Sequence, residues 1–254
     1  MEMDRYANGV PSWLDLGSDD LDATKAFYTG LFGWELAEGP PEAGGYTLCL
    51  LGGRTVAGLG PKMGPGPTVW NQYVNVDDAD ATAAAAEAVG GSVMLAPFDV
   101  LAFGRMGFIV DPAGAVVGLW QPNEHLGAQL VNEPGSFCWS ELQSRDLDAV
   151  LPFYQQVFGW TVGDVAEGPQ RYVEFKSDGR AIAGSMPMPA EVPAEVPSYW
   201  GVYFAVADTD ATIARATELG AALVFGPQDI PAGRFAALSD PQGAMFSVIA
   251  LPAA

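Results

Sequence analysis

In PSWLDL, residues 11–16, Ser12, Leu14 and Leu16 fall on one face and Pro11, Trp13 and Asp15 on the other, the period of a strand. The period then changes. Leu21, Thr24, Phe27, Tyr28, Leu31 and Phe32 recur at three and four residue steps behind Ser18, Asp19 and Asp20, which predicts a capped amphipathic helix ending near Gly33. Strands are predicted over 46–51 and 55–60, joined at Gly52-Gly53 by a tight hairpin. After the breaker-rich run 61–67 (PKMGPGP), the pattern predicts a strand over 69–76, a helix over 79–89 and strands around 92–96, 105–110 and 115–120. Each stretch reads as βαβββ, or close to it.

The second half repeats the first. FYTGLFGW, starting at Phe27, returns as FYQQVFGW, starting at Phe153, and this register pairs Trp13 with Trp139, Asp15 with Glu141 and Tyr46 with Tyr172. With a small slip it pairs Trp70 with Trp200, Tyr73 with Tyr203 and the DPAGA at Asp111 with the DPQGA at Asp240. Strands are predicted at 137–142, 172–176, 181–186, 200–206, 222–225, 235–239 and 245–251, and helices at 147–158 and 209–219. Pro152 predicts a late start or a kink in the first of these helices. The tandem PAEVPAEVP, 189–197, predicts an extended linker.

A duplicated βαβββ unit with FYxxxFGW closing its first helix and DPxGA before its last strand resembles the vicinal oxygen chelate superfamily, the glyoxalase, bleomycin-resistance and extradiol dioxygenase group. The resemblance covers nearly the whole chain, Pro11 to Leu251, and is most similar to the two-domain branch, some of whose members carry hydroxylase names. It implies an α+β fold with four βαβββ units, curved mixed sheets and clefts. The expected division is a first domain at 1–121 (units 11–63 and 69–121), a linker at 122–134 and a second domain at 135–254 (units 136–188 and 199–251). Units pairing in sequence and units crossing between halves both fit the repeat, and a fused pseudo-dimer, monomeric or weakly homodimeric, follows.

Composition narrows the function. A net charge of −20 repels phosphate backbones and anionic membrane surfaces, so neither nucleic acid nor membrane is an expected partner. No run is apolar enough for a span and the first ten residues lack a secretory segment, so the expected location is the cytoplasm. Cys49 and Cys138 occupy unmatched places and are expected to be free thiols. His125, the only histidine, lies in the linker and is expected to be a surface or hinge residue.

In metal-using relatives, the resemblance implies, His, Glu or Gln ligands come from the first and last strands of each unit. At those places this chain has Pro11 and Trp13, Phe137 and Trp139, Asn71, Gly201, Gly118 and Ser247; residues 54–63 and 180–189 hold no Asp, Glu, His, Cys or Gln. No metal and no other cofactor is expected, and a weak carboxylate-only site at Asp15 and Glu141 is the one metal alternative. The predicted cleft faces carry Trp13, Trp139, Asn71, Tyr73, Asn75, Tyr203, Trp120, Ser247 and Met245, the lining of a site for a small hydrophobic or aromatic molecule. Asp15 and Glu141 are candidate proton acceptors or ligand anchors, and Arg105 and Arg234 candidate partners for them or for an anionic ligand group. The expected function is metal-independent binding of such a metabolite, as in bleomycin resistance. The alternatives are an enzyme of this fold (glyoxalase or other lyase, isomerase or hydroxylase-like) using Asp15 or Glu141, and an interaction protein with vestigial clefts.

Overall fold

The computed structural model describes residues 1–166, 171–190 and 192–252. The first half comprises β1 (Pro11–Ser18), α1 (Leu21–Phe32), β2 (Glu35–Glu38), β3 (Thr47–Leu51), β4 (Arg54–Pro61), β5 (Val69–Asn75), α2 (Ala79–Ala88), β6 (Ser92–Val100), β7 (Gly104–Val110) and β8 (Val116–Pro122). The second comprises β9 (Phe137–Ser144), α3 (Leu147–Phe158), β10 (Thr161–Ala166), β11 (Tyr172–Ser177), β12 (Arg180–Pro187), β13 (Tyr199–Ala205), α4 (Thr209–Glu218), β14 (Ala222–Ile230), β15 (Gly233–Ser239) and β16 (Met245–Ala250). Each half builds its own eight-stranded sheet, in the orders β2-β3-β4-β1-β5-β8-β7-β6 and β10-β11-β12-β9-β13-β16-β15-β14. The units therefore pair in sequence.

Each helix starts at an aspartate whose carboxylate accepts a backbone N–H three residues on: Asp20, Asp78, Asp146 and Asp208. Gly33 and Gly159 end α1 and α3 in the left-handed region, at φ 71° and 72°, where glycine carries no Cβ penalty. Contrary to the expected late start, α3 begins at Leu147 and runs through Pro152, which is exposed. Two strands were not legible: β2 and β10 are sheet-edge strands, and the side chains of β2 are mostly exposed, so burial imposes no apolar alternation on it. The 189–197 stretch connects β12 to β13, with Glu191 outside the described residues, and Arg145 holds it through the carbonyls of Val196 (2.9 Å) and Pro193.

The helices pack across halves. One core cluster joins Phe27 and Tyr28 of α1 to Phe204 and Phe246 of the second half. The other joins Phe153 and Tyr154 of α3 to Val74, Ile109 and Leu119 of the first. One face of each sheet is thereby covered by helices, and side chains on the opposite faces are left to line what are termed the two troughs.

Candidate functional site

In the first trough β1 lies between β4 and β5, so that Asp15 faces both Gly58 and Asn71, while Tyr73 faces Gly118 on β8. Asn71 Nδ2 donates to Asp15 Oδ1 at 2.9 Å, and the hydroxyls of Tyr73 and Tyr46 donate to Oδ2 at 3.0 and 3.3 Å. Trp13 Nε1 donates to the Tyr46 hydroxyl at 2.9 Å. Burial pushes the Asp15 carboxyl up to about 6, against the pull of those three donors.

The glycines explain why the last strands lack donors. A Cβ on Gly58 would stand 1.9 Å from the Tyr46 hydroxyl oxygen, and one on Gly118 would stand 2.4 Å from the Tyr73 ring. Each ring lies over its glycine, and any larger residue there would drive the phenol off Asp15.

The second trough repeats the plan. Glu141 faces Gly184 and Gly201, and Tyr203 faces Ser247. The Tyr203 hydroxyl and Gln143 Nε2 donate to Glu141 Oε1 at 3.2 and 3.1 Å, and Trp139 Nε1 donates to the Tyr172 hydroxyl at 2.9 Å. A Cβ on Gly184 would stand 1.8 Å from the Tyr172 hydroxyl oxygen. The amide donor has moved from Asn71 on the neighbouring strand to Gln143 on the carboxylate's own strand, and Gly201 takes the asparagine's place. Burial raises the Glu141 carboxyl, opposed by Tyr172, Tyr203 and Gln143.

The donor sets do not fit the divalent ion that the resemblance implies. Across the four central strands they amount to one carboxylate, one amide and two glycines in the first half, and one carboxylate, two glycines and a hydroxyl in the second. Among the described residues no three His, Cys, Asp or Glu gather at any point.

The troughs differ in what covers them. In the first, Trp13, Tyr73 and Trp120 are 4%, 2% and 5% exposed. The linker closes over them: Trp120 Nε1 donates to the His125 carbonyl at 2.8 Å, and Ala128 N donates to the Ser12 carbonyl at 2.8 Å. The His125 ring meets Trp13 edge to face, at 4.3 Å and 82°, and lies 5.6 Å from Trp120. His125 is thus not the expected surface residue. Its Nε2 is buried without a partner, and burial lowers its pKa to about 4. In the second trough Trp139, Tyr203, Phe235 and Ser247 are half-buried, and Phe225 and Met245 are exposed. The Phe235 ring lies tilted, 6.2 Å from Tyr203 and 5.8 Å from Phe225, so an aromatic wall faces solvent.

Three expected site residues lie elsewhere. Arg105 pairs with Asp80 and Asp99 at 2.7 and 3.0 Å, and Arg234 with Asp210 and Asp229 at 2.9 and 3.2 Å. The aspartates of α2 and α4 and of the outermost strands draw both guanidiniums away from the central carboxylates. Asn75 is buried and donates to the Tyr6 and Ala7 carbonyls, both at 3.2 Å, pinning the N-terminal segment rather than lining a trough. Conversely, Tyr46 and Tyr172 are trough residues that the cleft reading missed; their matched places in the repeat, followed by matched glycines at 58 and 184, were the available signal. The surface concavity lined by Asp99, Arg105, Gln121 and Asn123 lies at a sheet edge, and its guanidinium is already paired.

A family model described as the Glyoxalase/Bleomycin resistance protein/Dioxygenase superfamily matches residues 11–119 and 125–248. The chain belongs to that superfamily. Within it, the chain is 46% identical over 256 residues to a Mycobacterium bovis protein provisionally named glyoxylase CFP32, covering 96% of this chain and 95% of that one. It is 39% identical over 265 residues to the anthracycline biosynthesis protein DnrV of Streptomyces peucetius, covering 98% and 96%. Among solved structures of the superfamily's fold, the Mn(II)-bound glyoxalase from Novosphingobium aromaticivorans aligns with a TM-score of 0.65 at 20% identity, covering 96% of this chain and 83% of that one. The 2,2',3-trihydroxybiphenyl 1,2-dioxygenase from Sphingomonas wittichii aligns at 0.64 and 16% identity, covering 96% and 90%. Both likenesses concern the fold.

Proposed function

We propose that this superfamily member binds a small hydrophobic or aromatic molecule in its second trough, without a metal ion. One observation carries the reading: two troughs of common plan differ in cover, and the second presents Trp139, Tyr203, Phe235 and Phe225 to solvent above a single buried carboxylate. An aromatic concavity with few polar groups is the usual composition of such a site. The likeness to a protein named for anthracycline biosynthesis supports a fused-ring aromatic ligand, since anthracyclines are of that class. The net charge of −20 and the buried Glu141 favour a neutral or cationic molecule over an anion.

The test is thermal unfolding in the presence of neutral fused-ring phenols, naphthols and hydroxyanthraquinones, against aliphatic alcohols of similar size. A ligand at 100 times its dissociation constant adds about 2.7 kcal/mol, so saturable stabilisation by the aromatic set alone is expected. Absence of any saturable shift overturns the reading.

A second reading is favoured by Glu141 itself, a desolvated carboxyl with a raised pKa beside an accessible wall, which is the setting of a general base. The glyoxylase name of one relative points the same way. Turnover of an aromatic substrate, abolished by Glu141→Gln with binding intact, would establish this reading over simple binding.

A further inference from the structure

We infer that the His125 imidazole occupies, in the first trough, the seat that an aromatic ring of the ligand takes in the second; the inference rests on the binding reading above. The strand pairings set the equivalence. Asn75 lies against Trp120 and Ala205 against Ile249; Met106 faces Trp120 and Phe235 faces Ile249. The space bounded by Trp13, Trp120 and Met106 in one half therefore corresponds to that bounded by Trp139, Ile249 and Phe235 in the other.

In the first half that space is filled by a planar five-membered ring, edge to face on Trp13 at 4.3 Å and close to Trp120 at 5.6 Å. The geometry is one that aromatic pairs prefer. The imidazole Nε2 meets no donor or acceptor although it is buried, so the seat recognises the ring by shape and quadrupole rather than by hydrogen bonds. The trough thus holds, from its own linker, an uncharged aromatic group in the posture of a ligand. In the second half the corresponding tryptophan, Trp139, is half-buried rather than 4% exposed like Trp13, and its indole N–H is engaged by Tyr172, which fixes the plane it offers. The ligand class that follows is an uncharged planar aromatic, set edge-on to Trp139, with any hydroxyl carried on the side of the ring that faces Glu141.

The experiment uses the full chain labelled with 5-fluorotryptophan, whose seven fluorine resonances are assigned by single Trp→Phe substitutions. Titration with 1,4-dihydroxyanthraquinone is expected to move the Trp139 resonance and leave those of Trp13 and Trp120 in place, and Trp139→Ala is expected to weaken binding by about tenfold or more, the loss of one edge-to-face aromatic contact of roughly 1.4 kcal/mol. Binding without movement of Trp139, or with movement of Trp13 instead, overturns the seat while leaving the binding reading intact. A flat titration with every neutral fused-ring phenol defeats the binding reading itself. A second arm is independent of the ligand: His125→Gly vacates the first seat, and free imidazole is expected to shift the Trp13 resonance and raise the melting temperature of that variant but not of the wild type. No response of His125→Gly to imidazole overturns the claim that the side chain fills a ring seat.

Discussion

The Tyr28 hydroxyl donates to Asp240 Oδ2 at 3.1 Å, across 212 residues of chain, and the Tyr154 hydroxyl makes the same bond to Asp111 at 2.9 Å. Each tyrosine comes from the repeated FYxxxFGW and each aspartate from the repeated DPxGA, so the two motifs meet across the halves. Each aspartate also accepts two backbone N–H groups of its own turn, from Ala113 and Ala115 or from Gln242 and Ala244. Each tyrosine accepts an indole N–H, Trp70 on Tyr28 and Trp200 on Tyr154, both at 2.9 Å. The paired repeat residues form two matched buried knots.

Removing one phenol leaves a buried carboxylate oxygen and a buried indole N–H without that partner. Tyr28→Phe and Tyr154→Phe are each expected to cost roughly 2–3 kcal/mol, measured by urea unfolding. A loss below about 0.5 kcal/mol in both would show that the knots do not join the halves.

These knots show why the fold was legible. Helix and strand periods, the aspartate caps and the repeat all report burial against a shared core, and burial leaves a pattern in the chain. What lay outside that pattern was not legible. β2 and β10 run along the sheet edges. Arg105 and Arg234 are claimed by acids on helices whose position depends on packing. His125 enters the first trough because a linker with no period of its own folds back over Trp13 and Trp120. Strand alternation puts Asp15 and Glu141 on faces where Tyr73 and Tyr203 reach them, whereas the further tyrosines at these carboxylates, Tyr46 and Tyr172, come from the residue before β3 and from β11, and only the glycines beneath them hinted at that contact.

The Asp15 carboxyl, pushed up to about 6 by burial, is protonated more readily folded than unfolded. Its contribution to stability is therefore fully present below the ordinary value near pH 4 and is lost as the pH rises through about 6. The gap corresponds to roughly 3 kcal/mol. The stability of the wild type relative to Asp15→Asn, followed by urea unfolding, is expected to fall by up to that amount between pH 4 and pH 7.5. A difference independent of pH would contradict the assignment.

Gln72 faces Leu14 on β1, and both atoms of its amide are buried without partners. Its counterpart Val202, against Ser140 on β9, is apolar. Gln72→Val is expected to raise stability by about 1–3 kcal/mol, by removing two unsatisfied groups from the seam. Destabilisation of similar size would mean that ordered water serves the amide there.

Glu141→Gln is expected to weaken binding of a neutral hydroxyanthraquinone, by about five- to tenfold if one hydrogen bond to the carboxylate is lost. Asp15→Asn, in the covered trough, and Arg105→Ala, whose partners are Asp80 of α2 and Asp99 of β6, are expected to leave affinity unchanged in a parallel calorimetric titration. Equal losses from Glu141→Gln and Asp15→Asn would assign the ligand to both troughs.

The claim on which the rest depends is that the second trough recognises its ligand through aromatic side chains and one carboxylate, with no ion between. Calorimetric titration of a neutral fused-ring phenol into protein dialysed exhaustively against EDTA tests it most directly. The account predicts one equivalent bound with the affinity of undialysed protein. Binding that vanishes on dialysis and returns with stoichiometric manganese, zinc or nickel would contradict it.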